Sequence, residues 1–193
     1  MKKIVGFSLC VLLAVLLFFV LWPFGKGKTE IISEAKQLQK IYGAHIRKKQ
    51  YVIYIDFEKP LFQKRIYVID TKTDEIVIKD YVTHAWNSGV LFAGDFSNKP
   101  ETNKSCKGAF VTQGTHRGKF GLSMRVKGLQ KGVNHNAGRR AIIFHPYSFK
   151  KEIMSGKLPV SFPWSLGCFA TNRETNKKLI ELTRNGTLVF VEG

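Results

Sequence analysis

The sequence predicts a mainly β domain of the α+β class, built of mixed sheets with one helix late in the chain and an apolar segment at its start. Three observations carry this reading. Short runs rich in β-branched and aromatic residues recur from Tyr51 onward, separated by turn chemistry. Apolar residues at helical spacing occur ahead of these runs and again just before the last of them. Before everything else, the stretch from Ile4 to Phe24 carries no charge.

That first stretch, about 21 residues long, spans roughly 30 Å as a helix, the hydrocarbon thickness of a bilayer. Trp22-Pro23-Phe24 gives way to Gly25-Lys26-Gly27-Lys28 without a small-x-small cleavage site. Residues 1–28 are therefore read as a transmembrane anchor, with a signal segment as the alternative. Lys26 and Lys28 nearly balance Lys2 and Lys3, so charge does not set the orientation. From Glu30 to Tyr42, the residues Ile31, Ala35, Leu38 and Ile41 form one helical face, and Gly43 closes it. Residues 29–50 are read as an amphipathic helix linker, a spacer ahead of the domain at 51–193.

Strands are expected at Tyr51–Phe57, Arg65–Asp70 and Glu75–Val82, with Thr71–Asp74 as a turn. A long polar stretch from Trp86 to Lys107 follows, and loops of that length inside compact domains are commonly functional. Gly108–Thr112 reads as a strand, Gly114–Gly121 as a glycine-bracketed turn holding His116, and Leu122–Val126 as another strand. Lys127–Arg140 is basic and rich in Gly and Asn, hence loop. Ala141–Phe144 is an apolar strand ending at His145-Pro146, and a short helix is expected around Ser148–Met154. Thr171-Asn172-Arg173-Glu174 matches a capping box for a helix with Leu179, Ile180 and Leu182 on its apolar face, ended by Asn185-Gly186. Thr187–Val191 closes the chain as a strand.

The formal net charge of +17 is large for 193 residues and suits an acidic partner. Walker loop, dinucleotide fingerprint, zinc-finger spacing and repeat period are all lacking, which argues against nucleic acid and against a nucleotide cofactor. The cysteines, Cys10, Cys106 and Cys168, are too widely spaced for a metal site or a dense disulfide scaffold. A Cys106–Cys168 disulfide is conceivable in an oxidising compartment.

Chemistry concentrates at the end. Pro163-Trp164-Ser165-Leu166-Gly167-Cys168-Phe169-Ala170 offers a cysteine after a glycine, close ahead of a helix N-terminus whose dipole favours thiolate. Ala141–His145 delivers an imidazole at a strand tip. Cysteine with histidine is the minimum kit for thiolate catalysis, and Gly167 lets backbone N–H groups approach a substrate oxygen. Each residue also has a bland reading. Cys168 can be a buried structural thiol and His145 a satisfied core group, while His84 and His135 can be loop hydrogen-bond partners and His116 an alternative base.

Asp95-Phe96-Ser97-Asn98, Gly121 to Leu129, Asn134-His135-Asn136-Ala137, Arg140 to His145 and Ser165 to Ala170 occur in that order. As a set they resemble the murein L,D-transpeptidase catalytic domain, in its Ser-x-Gly-Cys branch, from about Tyr51 to the C-terminus. The resemblance implies a β-sandwich or barrel of mixed sheets with a helix after the nucleophile loop. It makes Cys168 the nucleophile and His145 the general base, with Gly167 and the Cys168 amide at the oxyanion and Ser165 supporting the loop. It places His84, Asn98, Ser123, Arg125 and Trp164 at the substrate cleft. Pro146, Leu166, Phe169 and His135 depart from the family pattern.

The activity so implied is acyl transfer on peptidoglycan stem peptides through a Cys168 thioester, resolved by an amine to cross-link or by water to trim. It needs no metal and no cofactor. Carbapenem-type β-lactams are the expected inhibitors, and the inner membrane is the partner of the N-terminal segment. The expected place is the cell envelope with the domain in the periplasm, or outside the cell if the segment is cut. A sortase-like transpeptidase using His116, Cys168 and Arg184, and an inactive wall-binding adaptor, are the competing readings.

Overall fold

The computed structural model describes residues 25–146 and 165–193, together with Val11 and Leu17. The expected anchor over 4–24, apart from Val11 and Leu17, the helix around Ser148–Met154 and Trp164 lie outside the described residues. Among those described, no helix is long and apolar enough to cross a membrane.

Helix α1 spans Lys28–Ile41 and strand β1 spans Lys48–Asp56, followed by β2 (Ile66–Asp70) and β3 (Glu75–Asp80). Then come β4 (Gly108–Gly118), β5 (Gly121–Gly128), β6 (Ile143–Pro146) and β7 (Phe169–Thr171), and finally α2 (Arg173–Thr183) and β8 (Thr187–Glu192). Among the described residues, all the strands join one eight-stranded sheet in the order β3-β2-β1-β8-β4-β5-β6-β7. The expected mixed sheets are thus a single sheet, mixed because β1–β8 and β6–β7 are parallel and the other pairs antiparallel.

The two edges nearly meet. The chain leaving β3 runs beside β7, with the Thr83 amide donating to the Ala170 carbonyl at 3.0 Å and a bridge between Ala85 and Ser165. The sheet is therefore barrel-like, and its two faces have different occupants. The inner face packs Ile53, Ile55, Val68, Phe110, Met124, Phe144, Phe169 and Val189 around Leu179 and Ile180 of α2. On the outer face, Val52, Tyr54, Tyr67, Ile69, Ala109 and Leu188 pack against Ile31, Ala35 and Leu38 of α1. Helix α1 is accordingly part of the folded domain and not the expected spacer. The chain ahead of it is tied down too: the Lys26 amide donates to Asp56 Oδ2 at 3.1 Å, and Lys26 Nζ donates to Glu34 at 2.6 Å and Glu192 at 3.1 Å.

Two local expectations are corrected. Residues 114–118 continue β4 and do not form a turn; the hairpin tip is only Lys119-Phe120, and β4 pairs β5 through His116–Ser123 and Arg117–Leu122. Asn172, not Thr171, caps α2, its Oδ1 accepting from the Thr175 amide at 2.8 Å. Thr171 is fully buried as the last residue of β7.

Candidate active site

On the β5–β6–β7 half of the sheet the outer face is not covered by α1, and there a cleft of about 510 Å³ opens. Parallel pairing of β6 with β7 sets its chemistry. His145 stands opposite Ala170, so both project to the same face. Cys168, two residues before Ala170, comes to that face beside Ile143. Its sulfur takes a hydrogen bond from the Ile143 amide and lies 3.5 Å from the Ala141 carbonyl. Cys168 and His145 therefore line one cleft, together with His116, Ser123 and Arg140.

His145 is buried, with Nδ1 2.7 Å from the Pro146 carbonyl. A carbonyl only accepts, so Nδ1 carries the proton and the neutral ring keeps its lone pair on Nε2. Phe120, at the β4–β5 hairpin tip, stacks on the imidazole with centroids 4.2 Å apart and planes 19° from parallel. Pro146 belongs to β6 and supplies the carbonyl that orients the ring.

Burial pushes the Cys168 thiol above its ordinary value, and the Ile143 amide, Arg140 and Lys119 offset this only in part. The expected help from the helix dipole does not materialise: β7 and Asn172 separate Cys168 from the first residue of α2, and the dipole's effect fades within a turn. Cys106 is buried, and both it and Cys168 are free thiols, so the conceivable disulfide is not formed. Arg140 clasps the back of the site, with Nη1 donating to Cys106 Sγ at 2.6 Å and to the Ser97 carbonyl, and Nη2 donating to the Lys104 carbonyl.

Gly167 is required twice over. Its φ is +119°, and a Cβ there would come within 2.8 Å of Ile142 Cδ1 and 2.9 Å of the Lys104 carbonyl. Its amide donates to Ser165 Oγ at 3.3 Å. Ser165 thus holds the loop, and the Gly167 N–H expected at an oxyanion is turned toward that hydroxyl; the Cys168 amide is the remaining candidate donor.

Of the residues expected to contact substrate, Ser123 lines the cleft, with Oγ donating to the Gly121 carbonyl at 3.2 Å. Arg125 lies further along the same face of β5, exposed and beyond the cleft lining. His84 is a correction. It is fully buried, with Nδ1 accepting from Arg65 Nη2 at 2.7 Å and Nε2 donating to the Gly89 carbonyl at 2.8 Å. Asn98 is another. Its Nδ2 donates to His135 Nδ1 at 2.9 Å and its Oδ1 accepts from the Asn136 amide at 2.9 Å, so it clips two loops together away from the cleft. The sortase-like set does not assemble, because His116 reaches the cleft while Arg184 sits exposed at the C-terminal end of α2.

Phe120 and Arg140 were not singled out from sequence. Phe120 left a signal: an aromatic side chain at a glycine-flanked hairpin tip has no core position to fill. Arg140 opens one of the motifs that carry the resemblance, but its role was not readable, since its carbonyl partners lie 36 and 43 residues away.

A family model described as "L,D-transpeptidase catalytic domain" matches residues 26–191. Among solved structures, an L,D-transpeptidase from Mycobacterium smegmatis is 12% identical with a TM-score of 0.46, the match covering 75% of this chain and 59% of that one. An L,D-transpeptidase from Stackebrandtia nassauensis is 15% identical with a TM-score of 0.43, covering 91% and 72%. A third, an L,D-transpeptidase solved in complex with imipenem, is 10% identical with a TM-score of 0.44, covering 74% and 58%. The chain thus spans 59% of the length of the first of these. A search of curated proteins finds no match.

Proposed function

The chain belongs to the L,D-transpeptidase catalytic domain family, and on that premise we propose that it transfers acyl groups on peptidoglycan stem peptides through a thioester on Cys168. The observation that carries the assignment of roles is the β6–β7 register, which brings Cys168 and His145 to one face and one cleft. His145 Nε2 takes the thiol proton as the sulfur attacks the carbonyl that precedes the terminal D-Ala of a tetrapeptide stem. The Cys168 amide donates to the developing oxyanion. Collapse of the tetrahedral adduct breaks the peptide bond, and the His145 proton leaves with the D-Ala amine. An amine of a neighbouring stem then releases the acyl group as a cross-link, or water releases it as a trimmed stem.

Because burial raises the thiol pKa, little thiolate is present beforehand, and proton transfer accompanies attack. Imidazole with an orienting carbonyl suits that task. We further propose that the chain acts in the cell envelope, held at the inner membrane by its uncharged N-terminal stretch.

The test is mass spectrometry of the intact chain after exposure to a carbapenem, alongside D-Ala release from tetrapeptide muropeptides. An adduct on Cys168 and D-Ala release that Cys168→Ala abolishes are expected. Release undiminished in Cys168→Ala removes the thiol from the mechanism. No adduct and no release by the parent favour a wall-binding adaptor.

A further inference from the structure

The net charge of +17 is unevenly spread. Between Gly108 and Pro146, the stretch that builds β4, β5 and β6, the chain has seven lysines and arginines and no aspartate or glutamate. Strand β5 gives part of that charge a direction. Ser123, Arg125 and Lys127 alternate with Met124 and Val126, which enter the core, so the three share the outer face. Ser123 lines the cleft; Lys127, roughly 13 Å further along the strand, lines a second groove of about 490 Å³. His45 and Arg47, from the connection between α1 and β1, complete that groove against the turn at Asn185-Gly186.

Arg47, Arg125 and Lys127 are all exposed, and none has an ion-pair partner among the described residues. Like charges held close without counter-ions repel one another and attract a polyanion. A surface patch of scattered lysines has no axis. This one runs along a single strand face and joins two concavities.

We propose that the outer face of β5 is a binding track for an acidic wall strand, running from the cleft at Ser123 past Arg125 to the groove at Lys127 and Arg47. The ligand chemistry is a linear polymer with recurring carboxylates, those of stem peptides neighbouring the one in the cleft. This rests on the acyl-transfer reading for the identity of the polymer, and on the charge and geometry of β5 for the site. The groove holds the strand by its unreacting portion, at a distance from the thiol.

Binding of the full chain carrying Cys168→Ala to purified sacculi, stripped of phosphodiester polymers by hydrofluoric acid, tests the track. Arg47→Glu/Lys127→Glu is compared with Lys177→Glu/Lys178→Glu, an equal charge change on the exposed side of α2. The groove pair should weaken binding about tenfold at low salt and flatten its salt dependence, and the α2 pair less than about twofold. Equal weakening by both pairs, or none by either, overturns the proposal. Binding only to unstripped sacculi overturns the carboxylate assignment in favour of phosphodiesters. Should the groove pair lower the melting temperature, exposed Arg125→Glu is read in its place, with a threefold or greater loss expected and no loss counting against the track. Because binding is read without the thiol, its failure is separate from that of the acyl-transfer reading, which the Cys168 adduct decides.

Discussion

Arg65 and His84 form a fully buried pair in which the guanidinium donates to imidazole Nδ1 at 2.7 Å. Arg65 also donates to the Val82 carbonyl at 2.8 Å and lies over the Phe57 ring, 4.9 Å from its centroid. A histidine there is stable only when neutral.

Burial first, and the Arg65 charge second, hold His84 down to about 4. Unfolded, the same side chain titrates near 6.5. Between these values the unfolded chain binds the extra proton, so stability is lost as pH falls through the window from about 6.5 to about 4. The contribution at stake is about 3 kcal/mol. Melting temperatures across that range should fall more steeply for the parent than for His84→Gln, which keeps an acceptor and a donor but does not titrate. Parallel pH profiles would show that His84 does not sense pH in the fold.

How much of this was legible in the sequence follows from the range of the interactions. Strands β1, β2 and β8 were readable because their β-branched and aromatic runs reflect burial on a sheet, and β3 because Ile76, Val77 and Ile78 follow a turn at Thr71–Asp74. The β4 segment from Thr115 to Gly118 was not, because glycines at both ends resemble a turn while the pairing that makes it a strand comes from β5. The capping box at Thr171 misled for a similar reason. Sheet pairing buried Thr171 and passed the cap to Asn172. In the site, Cys168 and His145 were visible as residue types in motifs. His84 was not recognisable as a core group, because its burial and its partner Arg65 depend on contacts 19 residues apart.

The elevated Cys168 thiol makes the role of His145 separable by pH. Alkylation of the parent by iodoacetamide should keep rising beyond the usual thiol range near 8.5, with no plateau at acidic pH of the kind a preformed thiolate–imidazolium pair gives. Replacing His145 with Gln should slow carbapenem acylation at neutral pH by about 10²–10⁴-fold, the usual worth of a general base. Raising the pH should recover part of that loss in the variant. A His145→Gln chain acylated at the parental rate would assign proton removal elsewhere, with His116 the next group in the cleft.

Gly167→Ala tests whether the loop geometry serves the thiol or only the fold. The new methyl meets Ile142 Cδ1 and the Lys104 carbonyl, and the backbone angle is one that alanine rarely adopts. Strain of this kind costs about 1–3 kcal/mol. Because the residue adjoins Cys168, acylation should fall more than tenfold even at temperatures where circular dichroism shows the variant folded. Folded protein with parental acylation would mean that the positive-φ turn does not position the sulfur.

The last expectation concerns α1, which the spacing of Ile31, Ala35 and Leu38 revealed as a helix but not as part of the domain. Ile31 is 1% exposed and Ala35 fully buried, both packed in the cluster with Val52, Tyr54 and Leu188. A linker helix tolerates truncation of its apolar side chains; a packed one loses transfer energy and leaves a cavity. Ile31→Ala should therefore lower unfolding free energy by about 2–5 kcal/mol, measured by urea denaturation. Ile41, 62% exposed at the end of the same helix, is the internal control, and Ile41→Ala should change it by less than about 0.5 kcal/mol. Removing residues 1–50 exposes Val52, Tyr54, Tyr67 and Ile69 at once, so a chain beginning at Tyr51 should aggregate or melt far below the parent. A shortened chain that melts with the parent would return α1 to the status of a spacer and leave the outer face of β1 and β2 stable in water.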